Sequence, residues 1–162
     1  MELIADGLGF PEGPVVMADG SVIVCEMITG RITRCWNGRT EVVCEIGGGP
    51  NGLAIGPDGA LWVCNNGSVI ETRNGGLVSG AERQPGRIER VDLATGRFER
   101  VYESCDGLPL RGPNDLVFDS SGRLWFTDLG VIEDQARVHV GGLFTAAPGG
   151  KGLALDAGDC AG

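Results

Sequence analysis

The sequence has few positively charged residues and a single histidine, and these shortages limit the functions open to it. Its 162 residues include 13 Lys and Arg against 22 Asp and Glu, a formal net charge of −9. Binding to nucleic acid or to an anionic membrane surface depends on basic patches. The charge balance therefore argues against both as partners, and an acidic surface that keeps the chain in solution is the simpler interpretation.

Long apolar segments are missing as well. No stretch approaches the roughly 20 apolar residues of a membrane span. The first residues, Met1–Gly7, lack the basic start and apolar core of a signal peptide. None of the six cysteines has the Cys-x-x-Cys spacing typical of zinc sites. We therefore predict a cytoplasmic protein with free, mostly buried thiols, and a disulfide framework is the less favoured alternative.

Helical periodicity is also absent, because apolar residues do not recur at i, i+3, i+4 and i+7 over more than a few positions. Glycine is abundant instead, at 29 of 162 residues, against an average of about 7%. The glycines fall between short apolar runs, where turns are expected. This pattern predicts an all-β chain of many short strands.

The clearest strand pair is a β-hairpin in residues 112–128. Apolar residues alternate there at the period of two expected of strands, on either side of the turn cluster Asp119–Gly122. Asn114 and Asp115 precede the first strand, and Asp128 follows the second. These polar groups fall at the same end of the hairpin, where they could face a common site.

The same hairpin occurs twice more, without a gap in residues 49–65 and in a more diverged copy in residues 10–26. In each copy a proline is followed by a polar residue at the start, and a second polar residue ends the second strand. The first set is Glu12, Asn51 and Asn114, and the second set is Glu26, Asn65 and Asp128. The repetition predicts three equivalent structural units.

Each hairpin is followed by further strand-like runs. They are residues 30–36 and 40–45, residues 86–92 and 96–102, and residues 142–146. Asn37-Gly38 between the first two is the strongest short signal for a hairpin turn. Four antiparallel strands at a spacing of about 40 residues or more are typical of β-propeller blades. We predict one unit over residues 1–150, with blade 1 at 8–48, blade 2 at 49–106 and an incomplete blade 3 at 107–148.

Four segments do not fit this pattern. Residues 1–7 resemble a fourth strand that comes before any first strand, so we expect them to close a blade formed elsewhere. Residues 151–162 match no repeat position and are predicted to be an atypical tail. Residues 66–85 and 131–140 are expected to be surface loops, and a chemical role is not expected for the only histidine, His139.

Three blades are too few for a closed ring, because about four blades is the minimum. Two sheet edges and an inner face are then left open, and open edges pair with other chains. We therefore predict a truncated form of a larger propeller that can self-associate through its open sheet edges. Two half-rings joined as a closed dimer are the alternative.

The first strand of every propeller blade begins near the central axis, so Glu12, Asn51 and Asn114 are expected to converge at the mouth of the channel. One carboxylate and two amide carbonyl oxygens suit Ca²⁺ or a similar hard cation. The same side chains could equally cap strand ends, and the residues alone do not decide between the two.

These motifs resemble those of the senescence marker protein/gluconolactonase/luciferin-regenerating enzyme family. The resemblance extends from residue 2 to about residue 148. It is carried by Phe10–Pro14, Pro50–Leu53, Arg111–Leu116 and Trp125–Asp128. It implies a six-bladed propeller with one divalent metal ion in the central channel, and the hydrolysis of a sugar lactone or related ester.

The resemblance also implies roles for single residues. Glu12 would be a direct metal ligand, and Asn114 would lie at the metal directly or through water. Arg111 and Asp115 would lie near the substrate, although Arg111 is displaced by one residue from the arrangement in some relatives. Asn51 is axial and is assigned to the substrate, because it is not a consistent metal ligand in the family.

The remaining metal ligands of the family, and its general base, come from fourth and fifth blades that this sequence does not contain. The catalytic carboxylate is therefore not identified. The metal is expected to be Ca²⁺, with Zn²⁺, Mg²⁺ or Mn²⁺ as alternatives. The predicted function is a metal-dependent lactonase with an incomplete site. A non-catalytic propeller that binds calcium or another ligand is the alternative, and a chain with no function of its own is the third.

Overall fold

The computed structural model describes residues 1–67, 70–73, 76–79, 83–134, 137–139, 141–148 and 153–155, and these form short strands and no helix. The predicted all-β fold is confirmed. No helix in this part of the chain is long and apolar enough to cross a membrane.

Three four-stranded antiparallel sheets follow one another along the chain. Blade 1 consists of β1 (Pro11–Val16), β2 (Val22–Glu26), β3 (Arg31–Trp36) and β4 (Arg39–Glu45). The chain continues through β5 (Pro50–Ile55), β6 (Leu61–Asn65), the hairpin β7 (Ile70–Arg73) and β8 (Gly76–Ser79), then β9 (Arg87–Val91) and β10 (Phe98–Tyr102). Strands β5, β6, β9 and β10 form blade 2.

The third sheet follows a short strand pair, β11 (Ser104–Cys105) and β12 (Leu108–Pro109). Its strands come from β13 (Pro113–Phe118), β14 (Leu124–Asp128), the hairpin β15 (Val131–Asp134) and β16 (Arg137–His139), then β17 (Gly142–Ala146) and β18 (Leu153–Leu155). Strands β13, β14, β17 and β18 form blade 3. The predicted succession of propeller blades is confirmed.

The turns have the conformations that their residues favour. Gly20, Gly59 and Gly122 lie in the turn between the first two strands of each blade, with φ of +82°, +77° and +79°, a left-handed conformation that glycine adopts without strain. Asn37 and Gly38 join β3 to β4 with φ of +47° and +71°. Positive φ at both positions is the requirement of a two-residue hairpin turn.

The predictions for the terminal segments have different outcomes. The incomplete third blade and the wholly atypical tail are corrected, because β18 pairs with β17 as a fourth strand. This strand was missed because it has only three residues and lacks the arginine-rich pattern of β9. Without β18, the edge of β17 would have unpaired backbone groups, and these groups favour pairing with the segment that follows. Residues 1–8 form no strand, so their role as a closing strand stays a prediction.

Both insertions contain a hairpin rather than loop alone, β7–β8 in the first and β15–β16 in the second. The Gly, Ser and polar content that predicted loops is also common in short β-hairpins, which explains the difference. His139 is the last residue of β16, and its lack of a chemical role stays a prediction.

The hydrophobic cores lie between neighbouring blades. The core between blades 1 and 2 consists of Ile23, Cys25, Ile32, Cys44, Ile46, Leu53, Leu61, Val63 and Val91. The core between blades 2 and 3 consists of Cys64, Ile88, Tyr102, Leu110, Leu116, Leu124, Phe126 and Ala146. The second strand of blade 2, β6, therefore packs Leu61 and Val63 toward blade 1 and Cys64 toward blade 3.

The cysteines of the described chain are buried and form no disulfide bond, as predicted. They are Cys25, Cys35, Cys44, Cys64 and Cys105. Burial raises the pKa of Cys44 to about 11, so its thiol is protonated at neutral pH. These cysteines act as small apolar residues of the core. Cys160 lies outside the described residues.

Candidate functional site

The first strands of the three blades, β1, β5 and β13, lie side by side because glycine is present where they approach each other. A Cβ at Gly13 would lie 2.5 Å from the carbonyl oxygen of Asn51. A Cβ at Gly52 would lie 2.6 Å from the Cα of Asp115. Real Cβ atoms essentially never come within 3.0 Å of such atoms. Gly13 and Gly52 therefore allow the polar starts of these strands to come together.

The same strand starts are irregular in all three blades. Pairing with the second strand shifts register between Glu12 and Val15, between Pro50 and Leu53, and between Pro113 and Leu116. Bulges of this kind bend a strand and change the direction of a side chain, and they are frequent next to functional sites. Each bulge contains the polar residue of the first repeat set.

Asn51 and Asn114 are in direct contact. The Nδ2 group of Asn51 donates a hydrogen bond to Oδ1 of Asn114 at 2.9 Å, and both side chains are half-buried. An amide oxygen has two lone pairs, so Oδ1 of Asn114 can accept a second hydrogen bond or a cation. The predicted approach of these two residues is therefore seen in the structure.

Glu12 has a different environment. Its side chain is half-buried and accepts no hydrogen bond from any residue that the structure describes. It lines a cavity of about 290 Å³ with Pro14 and Val24 on the side of blade 1 that faces away from blade 2. No hydrogen bond in the described chain joins Glu12 to Asn51 or Asn114, so only two of the three predicted residues are hydrogen-bonded to each other.

Asp115 and Arg111 lie on either side of Asn114 along the chain. Asp115 is exposed, and its Oδ1 accepts the backbone N–H of Leu116 at 2.8 Å. The backbone of Arg111 is held, since its N–H donates to Oδ2 of Asp128 at 2.8 Å and its carbonyl accepts from the Arg83 guanidinium. Both residues are placed at the entry to β13, next to the asparagine pair.

The second set of polar residues does not face this site. Glu26, Asn65 and Asp128 are buried, with exposures of 7%, 0% and 6%. The backbone N–H groups that precede the first strands donate to them, Gly9 to Glu26 at 2.7 Å and Gly49 to Asn65 at 3.0 Å. They therefore tie the end of the second strand to the start of the first.

Asp128 accepts three backbone N–H groups, from Arg111, Gly112 and Gly130, at 2.8, 2.7 and 2.8 Å. The interpretation that Asp128 could share a site with Asn114 is therefore wrong. The expectation failed because hairpin register places two residues at one end of a hairpin and does not determine where their side chains point.

A buried ion pair next to Asn65 was not found from the sequence. The Nε group of Arg87 donates to Oε1 of Glu89 at 2.6 Å, and Nδ2 of Asn65 donates to Oε2 at 2.8 Å. Arg87 is 2% exposed and Glu89 0%. Burial raises the pKa of Glu89, and the adjacent Arg87 and Asn65 oppose that rise. The run Gly86-Arg87-Ile88-Glu89 has the alternation that could have indicated two charges on one strand face.

The donor atoms fit a hard cation in kind but not in number. Glu12 and Asn114 offer a carboxylate and an amide oxygen, whereas Ca²⁺ takes 6–8 oxygen ligands. No group of three or more His, Cys, Asp or Glu side chains that could hold a metal ion occurs among the described residues. The described blades thus contain at most part of a metal site.

Comparison with known proteins gives consistent relatives. A family model described as "SMP-30/Gluconolactonase/LRE-like region" matches residues 10–159. A gluconolactonase of Zymomonas mobilis subsp. mobilis is 27% identical over 179 residues, which cover 98% of this chain and 46% of that protein.

Solved structures share the fold. The gluconolactonase XC5397 of Xanthomonas campestris superposes with a TM-score of 0.70 at 23% identity, over 94% of this chain and 48% of that one. A protein provisionally named a gluconolactonase superposes with a TM-score of 0.68 at 25% identity, over 95% and 50%. The chain spans about half the length of the relatives it matches.

Proposed function

The chain belongs to the SMP-30/gluconolactonase/LRE-like family, and from this membership we propose that it supplies half of the site of a metal-dependent hydrolase acting on sugar lactones or related esters. The observation that carries the proposal is the arrangement at the first-strand starts. There the carboxylate of Glu12, which has no hydrogen-bond partner among the described residues, and a hydrogen-bonded asparagine pair lie on neighbouring strands that glycine allows to approach closely.

Glu12 and Asn114 are the residues that would hold the cation, for which Ca²⁺ is our first choice and Zn²⁺, Mg²⁺ or Mn²⁺ are alternatives. A cation bound there would polarise the lactone carbonyl and lower the pKa of the attacking water. The remaining ligands and the base that takes the proton would come from further blades, which makes this chain, in our proposal, a truncated form.

The other residues of the site would orient the reacting groups. Asn51 donates to Asn114 Oδ1, so it would hold that amide with one lone pair free for the ion. The exposed carboxylate of Asp115 can accept hydrogen bonds from sugar hydroxyl groups. Arg111, at the entry to the same strand, would bind an oxygen of the lactone or its acid product.

The buried thiols of the described residues form no disulfide bond, which supports a reducing compartment, since disulfides are rare in the cytosol. We therefore place the protein in the cytoplasm.

The test uses Glu12→Gln, with Glu41→Gln as the control, because Glu41 is exposed on β4 of the same blade. Calcium that binds only the folded chain should increase the free energy of unfolding, by about 2.7 kcal/mol when its concentration is 100 times Kd. The melting temperature should rise accordingly. The rise should be retained by Glu41→Gln and lost in Glu12→Gln. Any calcium-dependent hydrolysis of gluconolactone, followed by acid release, should behave in the same way. An equal calcium response in the two variants would rule out Glu12 as a ligand.

The second candidate is a non-catalytic propeller that binds calcium or another ligand. It is favoured because the described residues contain no group of three or more His, Cys, Asp or Glu side chains that could hold a metal ion. Calcium binding that depends on Glu12, without turnover of any lactone, would support this candidate over the hydrolase.

A further inference from the structure

The insertion of blade 2 leaves and rejoins its sheet at the end of the blade where the polar strand starts lie. Asn65, the last residue of β6, pairs with Pro50 at the start of β5 and with Arg87 at the start of β9. The insertion, residues 66–86, runs between β6 and β9 and includes the hairpin β7–β8. Both ends of the insertion are therefore on the same side of the blade as Asn51.

The two ends of the insertion are fixed to each other and to the start of β5. We name Asn66 and Gly67 the outgoing stem, and residues 83–86 the returning stem. The N–H of Asn66 donates to the carbonyl of Gly49 at 3.0 Å, and the N–H of Gln84 donates to the carbonyl of Gly67 at 2.8 Å. A Cβ at Gly67 would lie 2.0 Å from the carbonyl oxygen of Gln84, so glycine is required where the stems meet.

The returning stem is also packed against the segment that leads into β13. The N–H of Gly86 donates to the carbonyl of Leu110 at 3.1 Å. A Cβ at Gly86 would lie 2.5 Å from Cδ of Pro113 and 3.0 Å from the carbonyl carbon of Arg111. The returning stem thus lies beside the chain just before Asn114, and its position relative to that residue is set by backbone contacts.

Arg83 is the charged residue of the returning stem. It is exposed, and one NH₂ group of its guanidinium donates to the carbonyl of Arg111. No carboxylate of the described residues forms an ion pair with Arg83, whereas five other arginines each pair with such a carboxylate. They are Arg31, Arg34, Arg87, Arg90 and Arg100. A guanidinium has five N–H donors in a planar fork, so the contact to Arg111 leaves donors for a ligand.

The position of Arg83 brings positive charge to the candidate site. Arg111 is three residues before Asn114, a separation that extended backbone spans in at most about 11 Å. An elongated small molecule with polar groups at both ends can therefore reach both the Arg83 guanidinium and the asparagine pair. In a chain of net charge −9, most of the surface repels anions, and two arginines side by side make a local exception.

We propose that Arg83, together with Arg111, binds an anionic substituent of the substrate, a carboxylate or a phosphate group at the end of the sugar away from the lactone bond. Both anions match the fork of the arginine side chain, which can donate two parallel hydrogen bonds to them. The inference rests on the proposed function and narrows its substrate class to acidic sugar lactones. The insertion of blade 2 is then a recognition element that holds Arg83 beside β13.

The first measurement compares the affinities of three sugar acids for the chain by isothermal titration calorimetry. Gluconate has a carboxylate at one end, glucarate has one at both ends, and phosphogluconate has a phosphate at the second end. Glucarate or phosphogluconate should bind about 10-fold more tightly than gluconate, because hydrogen bonds between charged groups are the strong ones. The tighter of the two identifies the substituent. Equal affinities for all three acids would overturn the proposal.

Three variants test whether the second anionic group contacts Arg83. Arg83→Gln should lower the affinity for glucarate and phosphogluconate about 10-fold and leave the affinity for gluconate unchanged. Arg83→Lys keeps the charge but not the fork, so its affinities should lie between the two. Arg97→Gln is the control, because Arg97 is also exposed but lies between β9 and β10, at the opposite end of blade 2. Its affinities should equal those of the unaltered chain.

The same variants distinguish direct binding from an effect on Arg111. If Arg83 acted only by holding the backbone of Arg111, Arg83→Gln would weaken gluconate and glucarate by the same factor. That outcome would overturn the proposal, as would an equal effect of Arg83→Gln and Arg97→Gln. Circular dichroism spectra of the variants should match that of the unaltered chain, since both arginines are exposed.

Failure of this proposal can be told apart from failure of the proposed function. Binding of glucarate that depends on Arg83, in a chain that hydrolyses no lactone, supports the anion site and argues against the hydrolase. Calcium-dependent hydrolysis of gluconolactone and of glucarate monolactone, each at the same rate in the unaltered chain and in Arg83→Gln, supports the hydrolase and overturns the anion site.

Discussion

Two sets of polar residues occupy repeat-equivalent positions in the three blades, and they differ in almost every physical property. Glu12, Asn51 and Asn114 at the first-strand starts are half-buried, and within the described chain one hydrogen bond, between the two asparagines, joins members of this set. Glu26, Asn65 and Asp128 at the second-strand ends are buried and hydrogen-bonded to backbone.

The difference separates groups available to a ligand from groups used by the fold. A buried polar side chain whose hydrogen bonds are all made has nothing left to offer a substrate, and its removal leaves backbone groups unpaired. A half-exposed side chain with unused lone pairs contributes little to stability. Polar residues at equally regular spacing in a repeat can therefore have opposite roles.

The largest effect is expected at the ion pair that supports Asn65. Replacing Arg87 by Met leaves Glu89 buried without its partner, which should cost about 3–5 kcal/mol of stability. Arg31 is the repeat-equivalent residue in blade 1, where it pairs with Glu45 at 2.9 Å at the surface. Arg31→Met should cost only about 0–1 kcal/mol. Urea unfolding followed by tryptophan fluorescence measures both.

Equal losses in the two variants would contradict the contrast between buried and exposed pairs. A variant in which apolar residues replace both Arg87 and Glu89 is a further control. Such a double replacement removes both charges at once, so its loss should be smaller than that of Arg87→Met.

The second-largest effect is expected for the replacement of asparagine, a residue type that occurs in both polar sets. Asn65 accepts from Gly49 and Gly67 and donates to the carbonyl of Gly47, so Asn65→Ala should cost at least about 2 kcal/mol. Asn51 makes a single side-chain hydrogen bond in the described chain. Asn51→Ala should cost about 0.5–1.5 kcal/mol. Unfolding midpoints in urea test the order.

The rise in melting temperature on adding calcium also distinguishes the two polar sets. Asn51→Ala should weaken the calcium-induced rise in melting temperature, while Asn65→Ala should lower the starting temperature and leave the rise in place. The reverse pattern would contradict this assignment and would indicate that the second set, which includes Asn65, binds the ligand.

The smallest effect concerns the turn at the opposite end of the third hairpin. Asp119 is exposed, but the Ser121 hydroxyl and the Trp125 indole N–H hold its pKa well below the usual range. A carboxylate with a lowered folded-state pKa stabilises the fold above its unfolded pKa, and this contribution is lost as pH falls.

The melting temperature should therefore decrease as the pH is lowered below about 4. It should decrease less steeply for Asp119→Asn than for the unaltered chain. Asp6→Asn is the control, because Asp6 accepts no hydrogen bond in the described chain. Identical pH profiles for Asp119→Asn and the unaltered chain would show that these turn hydrogen bonds do not discriminate between charged and neutral forms.

Much of the fold could be predicted because it is encoded locally. Alternation at a period of two indicated the strands, and Gly20, Gly59 and Gly122 indicated the turns that join them. The repeat then indicated blades, since equivalent local patterns form equivalent sheets. The short β18 escaped prediction because its pairing depends on the edge of β17 and not on its own three residues.

The site was predicted less completely. The repeat indicated Asn51 and Asn114, which meet in the structure, and it placed Glu12 on the neighbouring strand. It could not indicate that Glu12 lines a cavity on the side of blade 1 that faces away from blade 2. It also did not reveal that Gly13 and Gly52 set how closely the first strands approach.

The amino-acid sequence by itself determined the number and order of blades, the turns and the positions of the polar residues, because neighbouring residues along the chain decide these. Only the tertiary structure decided which polar set is buried, and that Arg87 is enclosed while the side chain of Arg31 is partly exposed. These depend on contacts between blades, where residues far apart in sequence exclude water from some side chains and leave others exposed.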